Sequence, residues 1–181
     1  MLLSNFIFTY GDIFDYPITF VNVNIPDQPL IYVNDGFQKL TGYTKDEVVG
    51  RNCRFLQGPE TDKTATTFIR KSISRHMPVC QDILNYKKEG STFFNRLVLI
   101  PIKEFKTQYY LGFQHEIQAS IAKKHHDIKS SLLRERFQDP FTSIVKDTYV
   151  ANQLGEDISF PVLKKKFLTS IERIESFILD L

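Results

Sequence analysis

The chain has 181 residues, 42% of them hydrophobic, which suffices for one ordinary domain with a core and a modest extension and excludes a long multidomain enzyme. Lysine and arginine number 23 against 21 aspartates and glutamates, and a net charge of +2 argues against a protein built to neutralise nucleic-acid phosphates. Cys53 and Cys80 are the only two cysteines, too few for a disulfide scaffold, and His76, His115, His125 and His126 do not stand at zinc-finger spacing from them.

The apolar stretches are only a few residues long, and Met1 to Tyr16 lacks the basic leader and cleavage site of a signal peptide. A soluble, cytoplasmic protein without a membrane span is therefore expected. Leu2, Leu3, Phe6, Ile7, Tyr10, Ile13 and Phe14 recur at steps of three and four, so residues 1–15 read as a short amphipathic helix ending around Asp15-Tyr16-Pro17. Strands are predicted at Ile18 to Val23 and Leu30 to Val33, joined by the proline-bounded turn Pro26-Asp27-Gln28-Pro29. Asn34-Asp35-Gly36 opens a brief helix that Gly42 stops, and Thr44-Lys45-Asp46-Glu47 carries a reciprocal capping pattern. From Thr61 to Arg75, Ala65, Phe68, Ile69 and Ile73 mark one face of a helix that Met77-Pro78 ends. Three longer strands follow at Val79 to Tyr86, Thr92 to Ile102 and Gln108 to Ile117.

Two strands, several short helices and three strands are best accommodated by an antiparallel sheet with helices gathered on one face and a pocket between the layers. One face of the fourth strand presents Phe93, Asn95, Leu97 and Leu99, and the fifth presents Tyr110, Gly112 and Gln114. With Asn85, three amides stand on neighbouring strands of a mostly apolar sheet. Unsatisfied in a dry pocket, each would cost about 1–3 kcal/mol, and a flat heterocycle with donors and acceptors on its edge would satisfy them. The same amides facing water or capping loops would leave no such site, and these residues alone do not choose between the two.

The segment Gly50-Arg51-Asn52-Cys53-Arg54-Phe55-Leu56-Gln57-Gly58 resembles the signature of the LOV domains, the flavin-binding blue-light sensors of the PAS superfamily. The agreement extends through Pro59-Glu60-Thr61-Asp62, Arg70, Asn85-Tyr86, Asn95 and Leu111-Gly112-Phe113-Gln114, so residues 16–117 are similar to that family. The resemblance implies a PAS-like α+β fold, a five-stranded antiparallel sheet with short helices on one face, flanked by the N-terminal helix and a helical extension over residues 118–181. It implies FMN as chromophore and Cys53 as the thiol that, under blue light, bonds reversibly to carbon C4a while N5 gains a proton. A thiol held at near-attack distance needs no general base when light supplies the activation. On composition alone Cys53 would be an inert buried thiol, the usual state of a free cysteine and the reading kept for Cys80.

By the same resemblance Arg54 and Arg70 hold the phosphate, a use that suits the forked guanidinium. The family's FAD-binding members carry an insertion between the thiol helix and the helix of the second arginine, and its absence here favours FMN. Asn52 and Gln57 match positions at the ribityl chain and ring region, Asn85 and Asn95 the pyrimidine edge. Thr19, Val21, Leu56, Ile73, Leu97, Leu99 and Tyr110 would pack around the ring, with Gly112 counted among the binding positions. Gln114 is the expected switch, because its amide can donate to bare N5 or, turned over, accept from protonated N5. Gln28, Thr66, Leu97 and Tyr110 depart from the commonest family residues and leave the thiol chemistry in place.

The extension reads as helices around Ile121, Ile128 and Leu132, then Phe141, Ile144, Val145 and Thr148, then a third after Pro161. In the third, Phe167, Ile171, Ile174, Ile178 and Leu181 follow a seam spacing that suits docking on the chain's own domain or a homodimer. A non-enzymatic receptor acting on a separate signalling protein is expected, with little support for nucleic-acid binding. His125-His126-Asp127-Ile128-Lys129 weakly resembles a phosphoacceptor box, so a second reading makes His126 a phosphotransfer nucleophile. A third reading is a PAS ligand sensor without photochemistry.

Overall fold

The computed structural model describes residues 3–120, 122, 162, 165, 166, 168–170, 172, 173 and 176, and in it the expected order of strands and helices is realised. Strands β1 (Ile18–Asn22), β2 (Leu30–Val33), β3 (Val79–Tyr86), β4 (Thr92–Glu104) and β5 (Thr107–Ile117) form one antiparallel sheet in the order β2-β1-β5-β4-β3. The last strand therefore lies at the centre, paired through Thr19↔Gly112 on one side and Leu97↔Gln114 on the other. Because side chains alternate along a strand, this register puts Thr19, Val21, Asn95, Leu97, Leu99, Tyr110 and Gln114 on one face.

Helix α1 (Leu3–Tyr10) precedes the sheet, and α2 (Asp35–Thr41), α3 (Lys45–Val48) and α4 (Lys63–Ser74) stand between β2 and β3. Their ends carry the signals in the sequence. Asn34 caps α2 by accepting from Phe37 N, Gly42 closes it at φ 77°, and Thr44 and Glu47 form the capping box of α3. Asp62 caps α4 by accepting from Thr64 N.

The first helix stops sooner than predicted, at Tyr10, and continues as a 3-10 turn over Gly11–Ile13. The cause is Asn34, fully buried, whose Nδ2 donates to the carbonyls of Gly11, Phe14 and Tyr16 at 3.3, 2.9 and 2.8 Å and draws the chain off the helical path. Its Oδ1 accepts from Ile18 N at 2.8 Å and Phe37 N at 3.1 Å, so one side chain joins the N-terminal segment to β1 and α2. Phe68, expected on the inward face of α4, is exposed; Ala65 faces the core as expected, Ser72 joins it there, and Ile69 and Ile73 are half-buried beside them. Strands β4 and β5 run further than predicted, to a tight turn at Phe105 and Lys106, with Phe105 at φ 53°.

The opposite sheet face is buried too. Ile18, Phe20, Tyr32, Val98, Ile100, Ile102, Leu111 and Phe113 are all at most 2% exposed. Helix α1 packs there, with Phe8 edge-on to Phe20 and Tyr32 and Ser4 N donating to Glu104 at 3.1 Å. The same face holds a buried two-pronged ion pair, Arg96 Nε to Asp82 Oδ1 at 2.8 Å and Nη2 to Oδ2 at 3.0 Å. Tyr16 stacks on His115 across it at 6.0 Å.

The described positions from 162 to 176 are helical, and Ser170 is buried. His125, His126, the two helices expected around Ile128 and Ile144, and the seam residues Phe167, Ile171, Ile174, Ile178 and Leu181 lie outside the described residues. Among the described residues no helix is long and apolar enough to cross a membrane, and no group of three or more His, Cys, Asp or Glu could hold a metal ion.

Candidate functional site

The thiol segment is fixed by its backbone and by aromatic packing. Gly50, at φ 88°, turns the chain so that its N–H donates to Leu30 O at 2.8 Å while Leu30 N donates to Arg51 O at 2.8 Å. Asn52 then caps a 3-10 turn, Cys53–Leu56, by accepting from Arg54 N at 3.0 Å. Phe55 anchors the turn in a T-shaped contact with Tyr43 at 4.9 Å, with the Arg51 guanidinium 4.7 Å from its ring centroid. Leu56 is buried with Leu30, Val33, Phe37 and Val48, and Cys53 packs against that cluster.

Beyond the turn, Gly58 lies so close to Tyr86 that a Cβ there would fall 2.4 Å from the ring. Thr61 Oγ1 accepts from Gly58 N at 2.9 Å and donates to Leu84 O at 2.8 Å, and Glu60 N donates to Tyr86 Oη at 3.0 Å. Residues 58–61 are thus pinned to β3, across the layer from β1.

Between the thiol turn, α4 and the sheet lies a cleft that opens to solvent. Its lining includes Thr19, Val21, Asn52, Cys53, Arg54, Leu56, Gln57, Ile73, Asn85, Asn95, Leu97, Leu99, Tyr110 and Gln114, so most positions singled out in the sequence meet in one place. Arg70 is not in the lining; it is exposed on α4. Gly112 does not line the cleft either, yet it makes room for residues that do: a Cβ there would lie 2.4 Å from Thr19 Oγ1 and 3.2 Å from Gln114 Nε2. Val23, Gln28, Phe37, Ile69 and Ile83 also line the cleft and were not among the expected site residues. Ile69 and Ile83 follow from the helical and strand periods that placed Ile73 and Asn85, whereas Phe37 needs the packing of α2 over β2.

The amides form two separate hydrogen-bonded groups, each with an open acceptor. Asn95 Nδ2 donates to Asn85 Oδ1 at 3.0 Å, Asn85 Nδ2 to Leu84 O at 3.2 Å, and Gln114 Nε2 to Thr19 Oγ1 at 3.0 Å. Asn95 Oδ1 and Gln114 Oε1 are buried and accept nothing. Left so, each costs about 1–3 kcal/mol, which a ligand edge bearing N–H donors would recover. Tyr110 faces the cleft with its hydroxyl already engaged, donating to Met77 O at 3.0 Å.

The electrostatics keep the thiol quiet. Burial pushes Cys53 up to about 12, against the smaller opposing effects of its own backbone hydrogen bond and the Arg54 charge. At neutral pH it is a thiol and a poor nucleophile. The arrangement therefore suits a planar, largely apolar heterocycle with a polar edge at Asn85, Asn95 and Gln114, an uncharged thiol beside it and one cation, Arg54, in the lining. Those features fit a flavin.

A family model described as a PAS domain matches residues 17–119. The chain is 48% identical over 87 residues to a blue-light-activated histidine kinase of Brucella anthropi, covering 48% of this chain and 18% of that protein. The LOV domain of the Erythrobacter litoralis EL346 blue-light activated histidine kinase superposes with a TM-score of 0.55 at 38% identity, covering 56% of this chain and 95% of that one. The light-state structure of the blue-light photoreceptor Aureochrome1 LOV gives a TM-score of 0.57 at 32% identity, covering 69% and 93%. The match spans about a fifth of the length of the histidine kinases.

Proposed function

The chain belongs to the PAS family, in its LOV branch, and from that premise we propose that it is a blue-light receptor whose chromophore is FMN, held so that Cys53 bonds to it reversibly in the light. The observation that carries this reading is the coincidence, in one cleft, of the protonated Cys53 thiol with two buried acceptors, Asn95 Oδ1 and Gln114 Oε1, that lack donors of their own.

A bound flavin supplies the light absorption and an electron-poor carbon that becomes reactive on excitation. Everything else falls to the protein. Asn85, Asn95 and Gln114 register the polar edge, and Val21, Leu56, Ile73, Leu97 and Leu99 exclude water from the ring. Asn52 and Gln57 serve the ribityl side, and Arg54, joined by Arg70, holds the phosphate. With a flavin bound, Cys53 would present both its sulfur and its proton beside the ring, so a reversible bond to the light-activated carbon would need no external oxidant or base. Gln114 would present either end of its amide to that edge, donating or accepting as the ligand requires, and its strand would pass the change to the flanking helices.

The protein signals without turnover, as a homodimer formed through its helical flanks, to a separate signalling protein. Its test is direct. Protein purified in the dark is denatured and the released pigment separated by chromatography; FMN in near one-to-one amount, with reversible loss of blue absorption on irradiation before denaturation, supports the reading. A colourless preparation, or one releasing a pigment other than a flavin, contradicts it.

A further inference from the structure

The turn between β1 and β2 carries two successive left-handed residues, Asp27 at φ 66° and Gln28 at φ 51°, neither of them glycine. Such residues persist where their surroundings over-determine them. Here the surroundings are the thiol segment. Asn52 Nδ2 donates to the carbonyls of Asp27 and Gln28 at 2.6 and 3.3 Å, and Gln28 N closes the turn on Ile25 O at 2.9 Å. The result is that the Asp27 carboxylate accepts from Arg54 Nη1. Among the described residues lining the cleft Arg54 is the only cationic side chain, and an anion of the protein already occupies it.

We infer that Asp27 sets how strongly the cleft prefers a phosphorylated flavin over an unphosphorylated one, by competing with the phosphate for Arg54. The inference rests on the flavin reading above. Both side chains of the pair are more than half exposed, at 60% and 62%, so the pair is weak and exchanges readily. A phosphate monoester, with up to two negative charges and three acceptor oxygens, is the stronger partner for a guanidinium. Binding it draws Arg54 from Asp27 and brings the new charge close to the carboxylate. A flavin without phosphate does neither. Asp27 therefore penalises the phosphorylated ligand alone.

The full-length apoprotein is titrated with FMN and with riboflavin, following the quenching of flavin fluorescence. Asparagine is among the residues that best tolerate a left-handed conformation, so Asp27→Asn removes the charge and keeps the turn. It is expected to tighten FMN roughly two- to fivefold and leave riboflavin unchanged. Asp27→Gly, which also accepts positive φ, gives the same gain. In an Arg54→Gln background, where Arg70 still serves the phosphate, Asp27→Asn leaves the ratio of the two affinities as it was. Equal changes for both flavins, weaker FMN binding, or an equal gain in the absence of Arg54 overturns the inference and leaves the flavin reading standing. Wild-type protein that binds neither flavin overturns that reading and the inference with it.

Discussion

Replacing Gly112 by alanine tests how the site is assembled, because this residue touches no ligand position and yet three residues of the cleft wall close around it. A Cβ at 112 would lie 2.4 Å from Thr19 Oγ1, 3.1 Å from Leu99 Cδ2 and 3.2 Å from Gln114 Nε2. Thr19 is its direct partner across β1 and β5, and Leu99 its partner across β4 and β5. To reach ordinary van der Waals separation the hydroxyl must retreat by about 1 Å, which breaks the 3.0 Å hydrogen bond from Gln114 Nε2. The lost bond is worth about 0.5–1.5 kcal/mol and the overpacking about 1–3 kcal/mol. Alanine also lowers the entropy of the unfolded chain, an offset of about 0.4–1 kcal/mol, leaving a net loss of about 0.5–4 kcal/mol.

Urea unfolding of the apoprotein reads this as a lower midpoint at unchanged slope. Flavin affinity falls with it, since Gln114 loses the anchor that positions its amide. Thr19→Ala removes the atom that clashes, so the double variant is less destabilised than the two single losses together. A Gly112→Ala protein within about 0.5 kcal/mol of wild type, or strict additivity with Thr19→Ala, refutes the reasoning.

Two further outcomes follow from the cleft and from the opposite sheet face. Gln114→Leu leaves blue-light bleaching largely intact but blunts the light-induced change in hydrodynamic size and protease sensitivity; an undiminished change removes Gln114 from the signalling path. Burial and then the Arg96 charge hold the His115 pKa below its usual 6.5, with Tyr16 stacked on the ring and Asp82 paired to Arg96. The unfolded chain therefore takes up a proton at His115 before the folded protein does. The resulting stability is fully present above pH 6.5 and is lost as the pH falls through the folded-state value. The urea midpoint drops between about pH 7.5 and about pH 5.5 by less in His115→Phe than in wild type, and equal drops contradict the assignment.

Most of the cleft was legible because strand alternation and a short motif speak locally. The period of two along β4 and β5 put Asn95, Leu97, Leu99, Tyr110 and Gln114 on one face, and the motif put Cys53 on a short turn above it. Residues whose roles depend on distant partners were harder to read. Asn34 looks like an ordinary helix cap, and its grip on Gly11, Phe14 and Tyr16 depends on the path of the preceding chain. Asp27 and Gln28 lack the glycine that announces positive φ, and their stability comes from Asn52 and Arg54, more than twenty residues away. The unbroken apolar run Leu97 to Ile102 suits a strand buried on both faces, and in β4 Val98 to Ile102 are all buried. Phe68 shows the limit of periodicity on an amphipathic helix, since it falls at the edge of the inward stripe and remains in solvent.

The central claim, that one sulfur carries the light response, is met most directly by light-minus-dark absorption spectra of wild-type protein and Cys53→Ala, each loaded with flavin and irradiated in the blue. The account predicts that wild type loses its blue absorption and regains it in darkness, while the alanine variant binds the pigment with no such loss. The same bleaching spectrum in the variant, or a wild-type spectrum that blue light leaves unaltered, would contradict it.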